Sequence, residues 1–144
     1  MRASSLDLTR ETEPAVETVS AISDGLDDYN AIFWPNGDWR ARFIVGRDAA
    51  GVVQSGVKFI TALEWLFVNW LWVAAPYRRT GEGSRLLREA EVDARQEGCR
   101  GVYLDTFSFQ APKFYEALGF KQCALIPGYY DGHDRIFFQK ELNS

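Results

Sequence analysis

The run Arg78-Arg79-Thr80-Gly81-Glu82-Gly83-Ser84 sets two arginines, two glycines and two hydroxyls directly ahead of an apolar pattern with helical spacing. Glycine lets a bound group come close to the backbone, and the unpaired amides of a first helical turn, at the positive end of its dipole, attract an anion. The spacing therefore predicts a phosphate cradle, with Arg78 and Arg79 adding charge at the rim. It is not the cradle of a nucleotide P-loop, since GxxxxGK[ST] is absent, and Gly81-Glu82-Gly83 lacks the third glycine of a dinucleotide fingerprint. Glycines in this place also serve as plain turns, so the elements on either side carry part of the argument.

Those elements alternate without repeat, low-complexity tract or linker, which predicts one domain over residues 1–144. A short strand is expected around Leu6 and Leu8. A helix is expected over 14–29, with Ala15, Val16, Val19, Ile22 and Leu26 at helical spacing and Pro14 in its first turn. A loop over 31–38 holds Pro35 and Gly37. Strands over 39–47 and 52–61 form a hairpin through the 48–51 turn. The run 66–73 is apolar, aromatic and β-branched, as suits a central strand buried on both faces.

The cradle then feeds a helix over 84–97, with Leu86, Leu87, Ala90 and Ala94 on one stripe and Gly98 as its C-terminal cap. A strand over 102–106, a short helix over 112–118 opened by Pro112, and strands over 120–126 and 135–140 follow. A polar and aromatic turn over 127–134 separates the last two strands. The order is that of an α+β domain.

Length and composition set outer limits. The 144 residues, 47% hydrophobic and 25% charged, match an ordinary globular core that needs neither disulfide nor structural metal. A net charge of −4 argues against a nonspecific grip on nucleic acid or anionic lipid. Cys99 and Cys123 form no CxxC pair and His133 is the sole histidine, so no zinc set is expected and both cysteines read as reduced core thiols. The amino end carries Asp7, Arg10 and Glu11 with no apolar h-region, and the longest apolar stretch, 65–75, is interrupted by Asn69. A cytoplasmic protein is expected.

Val73, five residues before Arg78, together with the R-x-x-G-x-G run at Arg78, Gly81 and Gly83, resembles the acetyl-CoA pyrophosphate motif of the GNAT N-acetyltransferase superfamily. Phe114-Tyr115-Glu116-Ala117-Leu118-Gly119-Phe120 is similar to that superfamily's FYxxLGF segment and follows in the right order. The resemblance covers about 39–142. It implies a GNAT-like α+β fold, with a central mixed, mostly antiparallel sheet splayed between its fourth and fifth strands and flanked by helices. It also implies acetyl-CoA as cofactor and direct transfer of the acetyl group to an amine of a small molecule or peptide.

Carried onto this sequence, the family pattern lays the pantetheine arm along Leu71, Trp72 and Val73 and the pyrophosphate on amides from Arg79 through Thr80, Gly81, Glu82 and Gly83 to Ser84. An amide near Val73 would polarise the thioester carbonyl. Tyr115 resembles the tyrosine that protonates the departing thiolate, a step open to a phenol of pKa about 10. Two positions depart from the pattern: Glu82 puts a charge where the family has a neutral residue, and Ser108 stands where asparagine is common beside the cofactor. A neutral amine also requires a base, for which Asp105 is the first choice, ahead of Glu64, Asp131 and His133. Each of these has an ordinary reading as a turn, cap or loop hydrogen bond.

The acceptor pocket of the family draws on the loop after the first helix and the last hairpin turn. That assigns Tyr29, Trp34, Tyr129, Tyr130 and His133 to it, with Asn69 from the central strand, and suits an aromatic or cationic acceptor. Core packing or a homodimer contact would use such aromatics equally well. Two other classes stay open: a catalytically idle acyl-CoA-binding or sensor domain, and an interaction module without cofactor.

Overall fold

The computed structural model describes residues 5–34 and 39–142, so Pro35 and Gly37 of the expected loop lie outside the described residues. The chain divides into two compact units, Met1–Gly37 and Asp38–Ser144. In the first, the helical spacing of Val16, Val19, Ile22 and Leu26 yields α1 (Val16–Asn30), capped by the extended backbone of Ala15, so Pro14 precedes the helix and is not in its first turn. None of its residues is buried. The strand expected at Leu6 and Leu8 does not form: both leucines are exposed in irregular backbone. Two alternating apolar residues are too few to hold a strand that pairs with nothing.

The second unit contains β1 (Arg40–Arg47), β2 (Val53–Ala62), β3 (Trp65–Val73), α2 (Glu82–Gln96), β4 (Gly101–Phe107), α3 (Pro112–Ala117), β5 (Lys121–Tyr130) and β6 (His133–Glu141). The six strands form one sheet in the order β1-β2-β3-β4-β6-β5. Every neighbouring pair is antiparallel except β3 and β4, which are parallel because α2 carries the chain back between them. Leu86, Leu87, Ala90 and Ala94 of α2 bury against Val57, Phe59, Leu66, Val68, Val102 and Leu104 of the sheet. Polar ties fasten the same helix to both sides of the sheet. Arg42 of β1 pairs with Glu97 and Asp93, and Lys140 of β6 donates to Glu91 at 2.8 Å. No helix among the described residues is long and apolar enough to cross a membrane.

The central strand departs from the expectation of burial on both faces. Leu66 and Val68 are buried, but Trp70 and Trp72 are 61% and 50% exposed. The cause is a bulge: Phe59 lies opposite Val68 and Lys58 opposite Trp70, which leaves Asn69 as an extra residue in β3. The inserted residue reverses which side chains face the core, so Leu71 and Val73 pack inward after it. At the same place β3 parts from β4, whose pairing covers only Trp65–Val68 against Gly101–Leu104. The implied splay is therefore present, but between the third and fourth strands, since the strand expected at Leu6 is missing.

The last hairpin is tighter than expected. β5 runs on through Tyr130 and β6 begins at His133, so the turn is Asp131-Gly132 alone, with φ of 48° and 76°. β5 is an edge strand, exposed throughout, and Cys123 on it is an exposed free thiol, unlike the core thiol expected; Cys99 is half-buried and also free.

Packing at the start of the parallel pair gives a stability prediction. The Trp65 ring lies on Gly101, where an added Cβ would stand 2.4 Å from Trp65 Cζ3 and 2.8 Å from the Lys140 carbonyl oxygen. Gly101→Ala should cost about 1–3 kcal/mol, the usual range for overpacking, read as a lower midpoint in urea at unchanged slope. An unaltered midpoint would show that the strands part to admit a methyl group at no cost.

Candidate active site

The cradle is built by backbone that only some residues accept. Gly81 caps α2 at φ 86°, and Arg79 adopts φ 62°, a left-handed conformation that costs about 1–3 kcal/mol in a residue with a Cβ. Local bonds hold this shape. The Arg78 Nε–H donates to the Val73 carbonyl at 2.9 Å, and the Thr80 hydroxyl donates to the Tyr77 carbonyl. The helix starts at Glu82, two residues earlier than the apolar pattern suggests, so Gly83 and Ser84 lie inside its first turn. A Cβ on Gly83 would meet Cζ of Phe114 at 3.2 Å.

The splay opens a cavity of about 1070 Å³ onto this turn. Its walls are β3 from Val68 to Val73, the cradle residues Arg78, Arg79, Gly81, Glu82, Gly83 and Ser84, and the Asp105 and Tyr115 side of β4 and α3. From Asn69 onward β3 has no strand partner on the β4 side, which leaves a row of backbone donors and acceptors facing the cavity. Tyr115 packs its ring on Phe120 and Phe138. Burial first, and then the negative charge of Asp105, push its phenol above the ordinary tyrosine range, so it is protonated throughout neutral pH. Asp105 accepts from Arg135 Nε at 3.0 Å, and a second guanidinium N–H of Arg135 donates to the Tyr129 hydroxyl at 3.2 Å.

Residues 39–122 match the family description "Acetyltransferase (GNAT) domain". Blasticidin-S acetyltransferase of Streptomyces morookaense is 46% identical over 64% of this chain and 68% of its own length. An acetyltransferase of Agrobacterium fabrum is 33% identical over 88% of this chain and 92% of its own. A solved acetyltransferase from Bacillus cereus superposes with a TM-score of 0.82 at 29% identity, covering 93% of this chain and 98% of the other. The chain belongs to the GNAT acetyltransferase family. It is an N-acetyltransferase, and its acetyl donor is acetyl-CoA.

The cavity of this GNAT chain fits that donor. A glycine-lined first helical turn suits a diphosphate, and the unpaired edge of β3 suits an arm that carries amides, much as an added strand would. Of the residues assigned to the cofactor from sequence, Thr80 and Ser108 do not line the cavity. Thr80 braces the loop from behind. Ser108 accepts from the Asp134 backbone N–H at 3.0 Å and sits 3.5 Å from His133 Nδ1, fastening the β4–α3 loop to the last hairpin.

Of the acceptor residues, Asn69 lines the cavity at the bulge, whereas Tyr129, Tyr130 and His133 do not. His133 stands edge-on to Phe109, and the Tyr129 ring lies under the Arg135 guanidinium. Tyr130 is exposed. Tyr29 and Trp34 belong to the first unit. The alternative bases are distributed elsewhere: Glu64 pairs with Arg100 at the opposite end of β3 from Val73, and Asp131 occupies the hairpin turn.

Sequence reasoning missed several residues at or beside this GNAT site, Tyr77, Gln110 and Arg135 among them. Tyr77 lines the cavity from the turn before the cradle. Gln110 lines it too, its amide oxygen held by the Thr106 hydroxyl and the Phe107 N–H, each at 2.9 Å, which aims its NH2 group away from both. A polar side chain between a strand and the helix-opening Pro112 was the available signal. Arg135 left none, since its partner Asp105 is 30 residues away.

Proposed function

We propose that this acetyltransferase passes the acetyl group directly from acetyl-CoA to a primary amine of a small molecule or peptide. One observation carries the reading: a single cavity brings together the cradle, the unpaired β3 backbone, Tyr115 and Asp105. Acetyl-CoA supplies its acetyl group as a thioester, which an amine attacks without a protein nucleophile. The first turn of α2 binds the diphosphate through Gly81, Glu82, Gly83 and Ser84 amides, with Arg78 and Arg79 at the rim. Backbone of Leu71, Trp72 and Val73 orients the arm, and an amide near Val73 stabilises negative charge developing on the thioester oxygen. Tyr115 gives its proton to the sulfur as the C–S bond breaks, and Asp105 takes the amine proton through water.

The name of the Streptomyces relative makes blasticidin S the first compound of an amine panel. The expected result is release of free CoA thiol that depends on an amine, with a product 42 Da heavier by mass spectrometry, about the mass of one acetyl group replacing a proton. Thiol release equal with and without every amine would favour the idle acyl-CoA-binding reading. A cytoplasmic location and a homodimer are part of the same proposal, checked by fractionation and by light scattering.

The ion pair to Arg135 favours a rival role for Asp105, in which it only braces the sheet and amine arrives neutral from solution. Asp105→Asn separates the two. As the proton acceptor, Asp105 is needed most where the amine is protonated, so the variant should lose turnover at neutral pH and recover as the pH approaches the pKa of the free amine. A profile that overlays wild type would assign Asp105 to bracing.

A further inference from the structure

Glu82 is a carboxylate in the first turn of a helix whose amides are read here as a diphosphate site, where a second negative charge should repel the ligand. Its side chain is nevertheless only 18% exposed and is fully engaged. One oxygen, Oε1, accepts from the Ser55 hydroxyl at 2.9 Å, and the other lies 3.6 Å from an Arg85 guanidinium nitrogen. Ser55 on β2 is 1% exposed. A buried hydroxyl needs a partner, and this one has Glu82.

The surrounding sheet is shaped around that bond. Gly46 of β1, Ser55 of β2 and Val73 of β3 are register partners, one row across three strands. A Cβ on Gly46 would stand 2.2 Å from Ser55 Oγ and 2.9 Å from Glu82 Oε1, so the carboxylate is seated only because that position is glycine. Val73, at the other end of the row, is the residue whose carbonyl accepts from Arg78. The row thus reaches the cradle twice, through Glu82 into the helix and through Arg78 into the loop.

We propose that Glu82 is a positioning residue that acts through Ser55, pinning the first turn of α2 to the Gly46–Ser55–Val73 row so that the diphosphate cradle stays in register with the end of β3. The inference rests on the reading that this turn holds the CoA diphosphate. The helix dipole, Ser55 and Arg85 offset the carboxylate's charge, and the residual repulsion is the cost of a fixed cradle. Glutamine keeps the oxygen that Ser55 needs and drops the charge, whereas alanine drops both.

Titration calorimetry of CoA into the full chain tests this. Ser55→Ala should weaken CoA binding about tenfold, the scale of one hydrogen bond to a charged group. Glu82→Ala should weaken it by less because it also removes the carboxylate's repulsion, and the double variant should match Glu82→Ala. Glu82→Gln should bind CoA more tightly than wild type, with a margin that grows as salt is lowered. If the carboxylate acts by charge alone, Glu82→Ala will match Glu82→Gln and Ser55→Ala will match wild type, which overturns the proposal. Additive losses in the double variant overturn it as well. Should Glu82→Ala not fold, Ser55→Ala against Glu82→Gln decides by the same signs. Wild-type chain that takes up no CoA would remove the diphosphate reading itself, whereas normal uptake with indifferent variants removes only the strut.

Discussion

Tyr115→Phe is expected to lower turnover by about 10²–10⁴-fold, the usual range for a general acid, while CoA affinity stays near that of wild type. The substitution removes one oxygen and leaves the ring, which is the part that packs on Phe120 and Phe138. Loss of the acid is thereby separated from loss of packing. The direction of the phenol's shift matters for the same step. Burial and the charge of Asp105 raise it, which keeps the proton on the oxygen throughout neutral pH and makes the phenol a weaker acid than a free tyrosine. Its transfer to the departing thiolate therefore runs uphill and is completed as the C–S bond breaks. Because chemistry alone is slowed, kcat and kcat/KM should fall together. A fall in CoA affinity with little change in turnover would instead assign Tyr115 to packing.

Gly83→Val is expected to abolish measurable CoA binding, a loss of at least about 100-fold, because several charge-assisted hydrogen bonds at about 1.5–3 kcal/mol each depend on close approach to the turn. Two contacts limit the space there. On the protein side a Cβ already meets Phe114 at 3.2 Å, and on the cavity side the first turn of α2 faces the open volume. Valine therefore displaces either the phenyl ring that abuts Tyr115, at 5.1 Å between ring centres, or the ligand. Gly83→Ala should show a smaller loss, since a shift of a few tenths of an ångström in Phe114 admits a methyl group. CoA affinity unchanged in a folded Gly83→Val protein, judged by its thermal transition, would defeat the assignment of the diphosphate to this turn.

Much of this architecture was legible from local pattern. The α2 stripe of Leu86, Leu87, Ala90 and Ala94 is the set of residues that the helix buries, because a 3.6-residue period presents one face to whatever covers it. The glycine-bearing cradle before that helix and the short helix opened by Pro112 follow from chemistry that acts over a few residues. The two family motifs lie on these same local segments, which is why they are readable in one sequence.

What the chain's order could not reveal are relations between strands far apart in sequence. The bulge at Asn69 has no local signature, yet it turns Trp70 and Trp72 outward and opens the cavity, because one residue inserted against β2 reverses the side-chain alternation. The grip of Arg135 on Asp105 and of Ser55 on Glu82 spans 30 and 27 residues; the first exists only because β6 lies beside β4, the second only because α2 packs its first turn over β2. Glu82 alone, seen in sequence, is a misplaced charge; set over Gly46 and Ser55 it is a buried, bonded carboxylate. Residue types and short spacings thus determined which chemistry this protein has available, since helix faces and anion cradles are built within one or two turns of chain. Tertiary pairing decided how open the cavity is and which charges within it are free to act, since hydrogen bonds and burial depend on what the fold places alongside.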